Sequence, residues 1–210
     1  MKNKPRPHSI PAHAAATPAA ASRADSRADA SPGGESGPGR LLQPRATAGT
    51  NDWNKAREPQ DWWGEIERMH GHVGPWNVLG WRIGQAALRE FGATWGGHEL
   101  DLVCHVPLET PFSCLADGLV VGTGNTIGRL DLRLAEVMSV SSIQVSVRRK
   151  DGVGGVLIFK PSTDYLATIR GRQLSELEAL SRECGRLPEE KLFVMERVPS
   201  DSHRHILLEK

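Results

Sequence analysis

His70-Gly71-His72-Val73-Gly74-Pro75-Trp76 is the stretch on which the reading of this 210-residue chain turns. Two imidazoles stand two residues apart, and a proline follows closely. Proline opens a helix without loss, because the N–H it lacks would have had no intrahelical partner. Beyond it Leu79, Ile83, Ala86, Ala87 and Phe91 recur at helical spacing and Gly92 supplies a stop, so Trp76 to Phe91 reads as a helix. Both histidines therefore lie in a loop feeding a helix N-terminus. There the positive end of the helix dipole favours an anion, or a neutral metal-bound imidazole, over imidazolium. Taken alone, the motif is explained at least as well by a helix cap beside a solvated ring. Gly80 and Gly84, four apart on the helix, let another backbone come close, which in water signals tight helix packing.

Upstream, Ala56 to Met69 reads as a first helix with Trp62, Ile66 and Met69 on one side. Downstream, Leu100 to Val106 alternates: Leu100, Leu102, Cys104 and Val106 face a core while Asp101 and His105 point outward, the pattern of a half-buried strand. Cys114 to Val121 makes a short helix with Cys114 and Asp117 on one face at i, i+3. Leu132 to Met138, Ser142 to Arg149 and Gly155 to Phe159 read as strands, the last two joined by an Asp151-Gly152 hairpin turn. Arg148, Arg149 and Lys150 read as its solvated end. Leu166 to Cys184 reads as one helix with Leu174, Leu177 and Leu180 as its stripe, ended by Gly185. Pro188 opens a short turn, and Leu192 to Val198 supplies one more strand. The order predicts an α+β domain over residues 52–210: a mixed β-sheet with helices packed on one face.

Residues 1–51 are different in kind. Met1, Ile10, Leu41 and Leu42 are their only large apolar side chains, and a tandem Ser-Arg-Ala-Asp occupies 22–29. Such a composition cannot offset its conformational entropy by burial, so a disordered tail is expected. It carries seven Lys/Arg against three Asp/Glu, hence +4, which leaves −3 of the chain's +1 on the remainder. A mildly acidic domain behind a mildly basic tail gives no case for nucleic acid, which usually demands a clustered basic face. The tail has no acidic residue before Asp25, as in transit peptides, but lacks the apolar core of a secretory signal and a twin-arginine pair. No segment approaches the roughly 18–20 apolar residues of a membrane span. Three unpaired cysteines, Cys104, Cys114 and Cys184, argue for reduced thiols and a cytoplasmic protein. Six tryptophans beside one tyrosine and four phenylalanines are a heavy load for one small domain and point to a homodimer.

A second run, Ser113-Cys114-Leu115-Ala116-Asp117-Gly118, leads into Gly122-Thr123-Gly124-Asn125-Thr126-Ile127-Gly128-Arg129. With the HGH run in front, the chain resembles the FmdE-like family of formylmethanofuran dehydrogenase proteins. His70, Gly71, His72 and Pro75 match that family's first element, Cys114 and Asp117 its second, and Thr123, Gly124, Thr126 and Gly128 its third. Leu187 to Phe193 resembles its closing segment. The likeness covers roughly residues 60 to 198. The resemblance implies an α+β fold, a homodimer, and an association with molybdenum- or tungsten-dependent oxidoreductases of C1 metabolism. It also implies that the glycine loop closes over a site made by the HGH run and Cys114, with Thr123, Gly124 and Asn125 as cofactor contacts and Cys114 and Asp117 as catalytic groups. Read as residues, the same loop is a tight backbone turn, since it lacks the lysine of a phosphate cradle.

The departures bear on chemistry. Gly74 stands where many members place a cysteine, Asn125 where many place another, and Arg129 replaces a lysine. A metal would find imidazole nitrogen at His70 and His72 and sulfur at Cys114, all acceptable donors to zinc or iron. With two thiols gone the ion is expected to bind weakly and with steep pH dependence. Asp117 either orients a histidine or caps its own turn. Three functions stay open: a metal-binding accessory protein of a molybdenum or tungsten oxidoreductase, a small metal-dependent enzyme, and a thiol-depleted module for a small ligand such as a pterin or acyl group.

Overall fold

The structure, a computed structural model, describes residues 56–199. The expected tail, residues 1–51, lies outside them. Helix α1, Trp62–His70, starts six residues later than its periodicity suggests. Pro59 disfavours helix in the residue before it, and the Asp61 side chain accepts from Gly64 N at 3.0 Å as the true cap. Helix α2, Pro75–Phe91, has its proline at the first position and Gly92 at φ 58° as its stop. Strand β1, Leu100–Val106, is followed by α3, Cys114–Thr123, and β2, Leu132–Glu136.

Strands β3, Gln144–Arg149, and β4, Val156–Pro161, form the expected hairpin, but across a longer connection in which Gly152, Gly154 and Gly155 all take positive φ. Its cations are not simply solvated: Arg148 donates to Asp101 at 3.0 Å and Arg149 to Asp151 and the Phe91 carbonyl. The single helix expected over Leu166 to Cys184 is two. Helix α4, Thr163–Ile169, is capped by Ser162, whose Oγ accepts from Tyr165 N at 2.9 Å. Gly171 at φ 69° then breaks the run, and α5, Leu177–Arg186, carries Leu180 into the core with Gly185 inside the helix rather than after it. A short α6, Glu189–Leu192, precedes strand β5, Phe193–Val198.

The sheet order is β2-β1-β3-β4-β5, with β1 and β2 parallel and the other pairs antiparallel. This is the expected mixed sheet of an α+β domain. Leu100, Leu102, Cys104 and Val106 join Val145, Val147, Leu157 and Phe159 in the core beneath the helices. On the other face Asp101 is held between Arg133 and Arg148 at 2.9 Å each. All three cysteines are free and buried. Among the described residues no helix is long and apolar enough to cross a membrane.

Helices α2 and α3 cross with their backbones in contact. A Cβ at Gly80 would overlap the Leu115 carbonyl oxygen, and one at Gly118 the Asn77 carbonyl oxygen. One at Gly122 would lie 2.7 Å from Trp81 O, and one at Gly84 3.1 Å from Gly122 Cα. Position 80 meets 115–118 and position 84 meets 122, so the helices run in parallel and both N-termini lie at one end. The glycine pair read from the α2 sequence therefore has its counterpart on α3. Gly80→Ala or Gly118→Ala should each cost about 3 kcal/mol, the upper part of the usual range for overpacking. Gly128→Ala, whose new Cβ meets nothing within 4 Å, should stay within about 0.5 kcal/mol of the parent in urea unfolding.

Candidate active site

The parallel crossing puts the loop that starts α2 beside the residue that starts α3. Asn77, three residues into α2 and fully buried, makes the joint. Its Oδ1 accepts from Gly74 N at 2.8 Å and its Nδ2 donates to the Cys114 carbonyl at 2.9 Å. Ser181 of α5 supports the same loop by donating to the Val73 carbonyl at 2.8 Å. Neither residue stands out in the sequence. Asn77 reads there as an ordinary polar position, and only its place at the third helical residue hints at a bond back to the loop.

His70 ends α1 and meets α3. Its Nδ1 lies 2.7 Å from Asp117 Oδ2, with the imidazole 15% exposed. A carboxylate can only accept, so Nδ1 carries a proton, and in the singly protonated ring the lone pair falls on Nε2. That Nε2 is buried and has no hydrogen-bond partner among the described residues. Of the two readings of Asp117, the geometry has it orienting a histidine. The exposed His72 ring sits beside His70 with centroids 4.7 Å apart.

His70, His72 and Cys114 line one cavity of about 400 Å³, with Gly74, Pro75 and Trp76 from the α2 start, Thr110 and Pro111 from the approach to α3, and Leu177 of α5. Cys114 is 7% exposed, and burial pushes its thiol up, with the Asp117 carboxylate adding to the rise. At neutral pH it is therefore a thiol and not a thiolate. Among the described residues no group of three or more His, Cys, Asp or Glu side chains is arranged to hold a metal ion. The donors thus share a chamber without forming a ready-made three-ligand centre. Gly74 shows what a missing cysteine costs: a Cβ there would stand 3.9 Å from His72 Nε2.

Thr123, Gly124 and Asn125 do not join this pocket. They lie at the other end of α3, whose 10 residues span roughly 15 Å. There they do structural work. Thr123 Oγ1 donates to Leu119 O at 2.7 Å, and Asn125 Nδ2 donates to Leu100 O at 3.1 Å. Arg129 donates to the Gly124, Gly96 and Gly97 carbonyls and pairs with the fully buried Asp131 at 3.2 Å. The loop's cation neutralises a buried carboxylate and closes the turn, the role that its residues alone suggest.

Three outcomes check this geometry. Alkylation of Cys114 by iodoacetamide should reach half its maximal rate only above the ordinary thiol value of 9.0. Asp117→Asn should lower that midpoint only in part, since burial is the larger cause. Asn77→Ala should cost about 1–3 kcal/mol, the penalty for a buried N–H and carbonyl left unpaired, and should speed Cys114 alkylation at fixed pH.

A family model described as FmdE, Molybdenum formylmethanofuran dehydrogenase operon, matches residues 69–194, which takes in the histidine loop, the α2–α3 crossing and strands β1 to β4. No curated protein matches the chain.

Proposed function

The chain belongs to the FmdE family, and from that premise we propose that it is an accessory protein of molybdenum- or tungsten-dependent C1 metabolism whose pocket takes one weakly held zinc or iron ion. The observation that carries the reading is the buried, unpartnered Nε2 of His70, turned into a donor by Asp117 at Nδ1. An orphaned imidazole nitrogen backed by a carboxylate is the usual arrangement of a metal-ligating histidine. His70 would anchor the ion, with His72 and Cys114 of the same cavity as further donors. When bound, the ion supplies a Lewis acid that polarises a coordinated oxygen. The chain's own residues do the rest. Asp117 holds the ring and its proton, Trp76 and Pro111 keep water from one wall, and Cys114 keeps its proton at Sγ until a cation displaces it. The protein acts as a cytoplasmic homodimer; the exposed Leu130 and Leu134 at the β2 edge of the sheet support self-association.

One observation favours a second reading. Because no three donors stand in a metal-holding arrangement among the described residues, the cavity also suits a small ligand whose own donor group meets His70 Nε2.

Metal content separates the two. The purified protein should carry substoichiometric metal, rising toward one zinc per chain on titration and falling again as acid returns the proton to Cys114. His70→Ala, or Cys114→Ser with His72→Ala, should abolish uptake, and Asp117→Asn should weaken it about 10- to 100-fold. Tight stoichiometric zinc that survives these changes would place the metal elsewhere. A complete failure to take up zinc or iron would leave the small-ligand reading.

A further inference from the structure

Beyond the histidine pocket lies a larger apolar cavity of about 790 Å³, walled by Trp76, Phe112, Leu166 and Ile169, with Arg170 on its lining. Its size falls within the about 300–1,000 Å³ of small-molecule sites. The walls are preset. Trp76 is 3% exposed and packs edge-on against Phe112 at 5.3 Å and Tyr165 at 5.5 Å between centroids. Arg170 ends α4 in extended backbone, exposed, and makes no ion pair or hydrogen bond among the described residues. The other arginines nearest it in sequence behave differently: Arg172 faces Glu176 and Glu183, and Arg182 binds Glu178. An unpaired guanidinium on a wall that is apolar but for Thr163 has a defined complement. It is a single carboxylate attached to an apolar body, which the planar fork can take in two parallel hydrogen bonds. A phosphate would call for more cations or backbone N–H groups than this wall offers.

We infer that this cavity binds an amphipathic carboxylic acid, its carboxylate on Arg170 and its acyl or aryl body along Trp76, Phe112 and Leu166. Trp76 and Pro111 line both this cavity and the one that holds His70 and Cys114. The body of such a ligand therefore extends toward the histidine pocket, and the two chambers act as body and head of one site. The carboxylate end rests on Arg170 alone and not on any metal at His70.

The test uses the full chain stripped with a chelator, decanoate and decanol as probes, and calorimetry as the readout. Decanoate should bind about tenfold more tightly than decanol, the effect of one charge-assisted contact. Arg170→Gln should erase that preference and leave decanol unchanged, while Arg170→Lys should keep part of it. Arg170 is exposed and makes no bond within the described fold, so these variants should fold as the parent does. Ala167→Trp, which fills the groove, should weaken both probes. The chelator-stripped chain should bind both probes without metal, so failure of the metal reading does not touch this one. Equal affinity for the two probes, a preference that survives Arg170→Gln, or no binding of either would overturn the inference.

Discussion

Everything in the candidate site depends on two helices that touch through their backbones. Four glycines, Gly80 and Gly84 on α2 and Gly118 and Gly122 on α3, remove the side chains that would otherwise hold the axes apart. Contact this close leaves little freedom of register, because each carbonyl fits only opposite a glycine. Since the helices run in parallel, their N-termini coincide, and each end arrives with its own chemistry: the histidine loop on one, Cys114 and Asp117 on the other. The Asn77 side chain then ties the two ends with two hydrogen bonds. A site assembled from segments some forty residues apart thus needs no long loop to bring it together.

The parts of this design written as local patterns are readable from the residues. The strand Leu100–Val106 shows its core face in its alternation, but not that Asp101 and Val103 on the other face are buried too; Pro75 and Gly92 mark the ends of α2. Gly80 and Gly84 announce a close partner but not which one. What escapes has causes at longer range. The run from Leu166 to Cys184 keeps its apolar rhythm through the break, and only Gly171, one residue among many polar ones, signals that the chain turns left-handed there. Asn77 looks like any polar helix residue until the Cys114 carbonyl is beside it. The family likeness puts Thr123, Gly124 and Asn125 at the pocket by proximity in sequence. The length of α3 carries them to its far end, where Asn125 and Arg129 satisfy backbone carbonyls instead.

Within the pocket, burial and charge act against a free thiolate. Cys114 is shut from water with a carboxylate three residues along its own helix, and both effects hold the proton on sulfur. The same carboxylate prepares His70 as a donor. One acidic side chain therefore makes the nitrogen more available and the sulfur less so.

Helix α1 is held quite differently from the pair it completes. Ile66 is its only fully buried residue; half-buried Trp62 and Trp63 pack against the core, with Trp62 stacked on Trp81 at 4.1 Å and the Arg182 guanidinium over Trp63 at 4.4 Å, and the His70–Asp117 bond ties its end to α3. Its anchorage is mostly aromatic and lies at the rim of the core rather than inside it. His70 belongs to this outer helix, while Cys114 and Asp117 belong to the crossing itself. The pocket thus has two kinds of wall, one built into the backbone crossing and one laid against it through tryptophan rings and a single histidine–carboxylate bond.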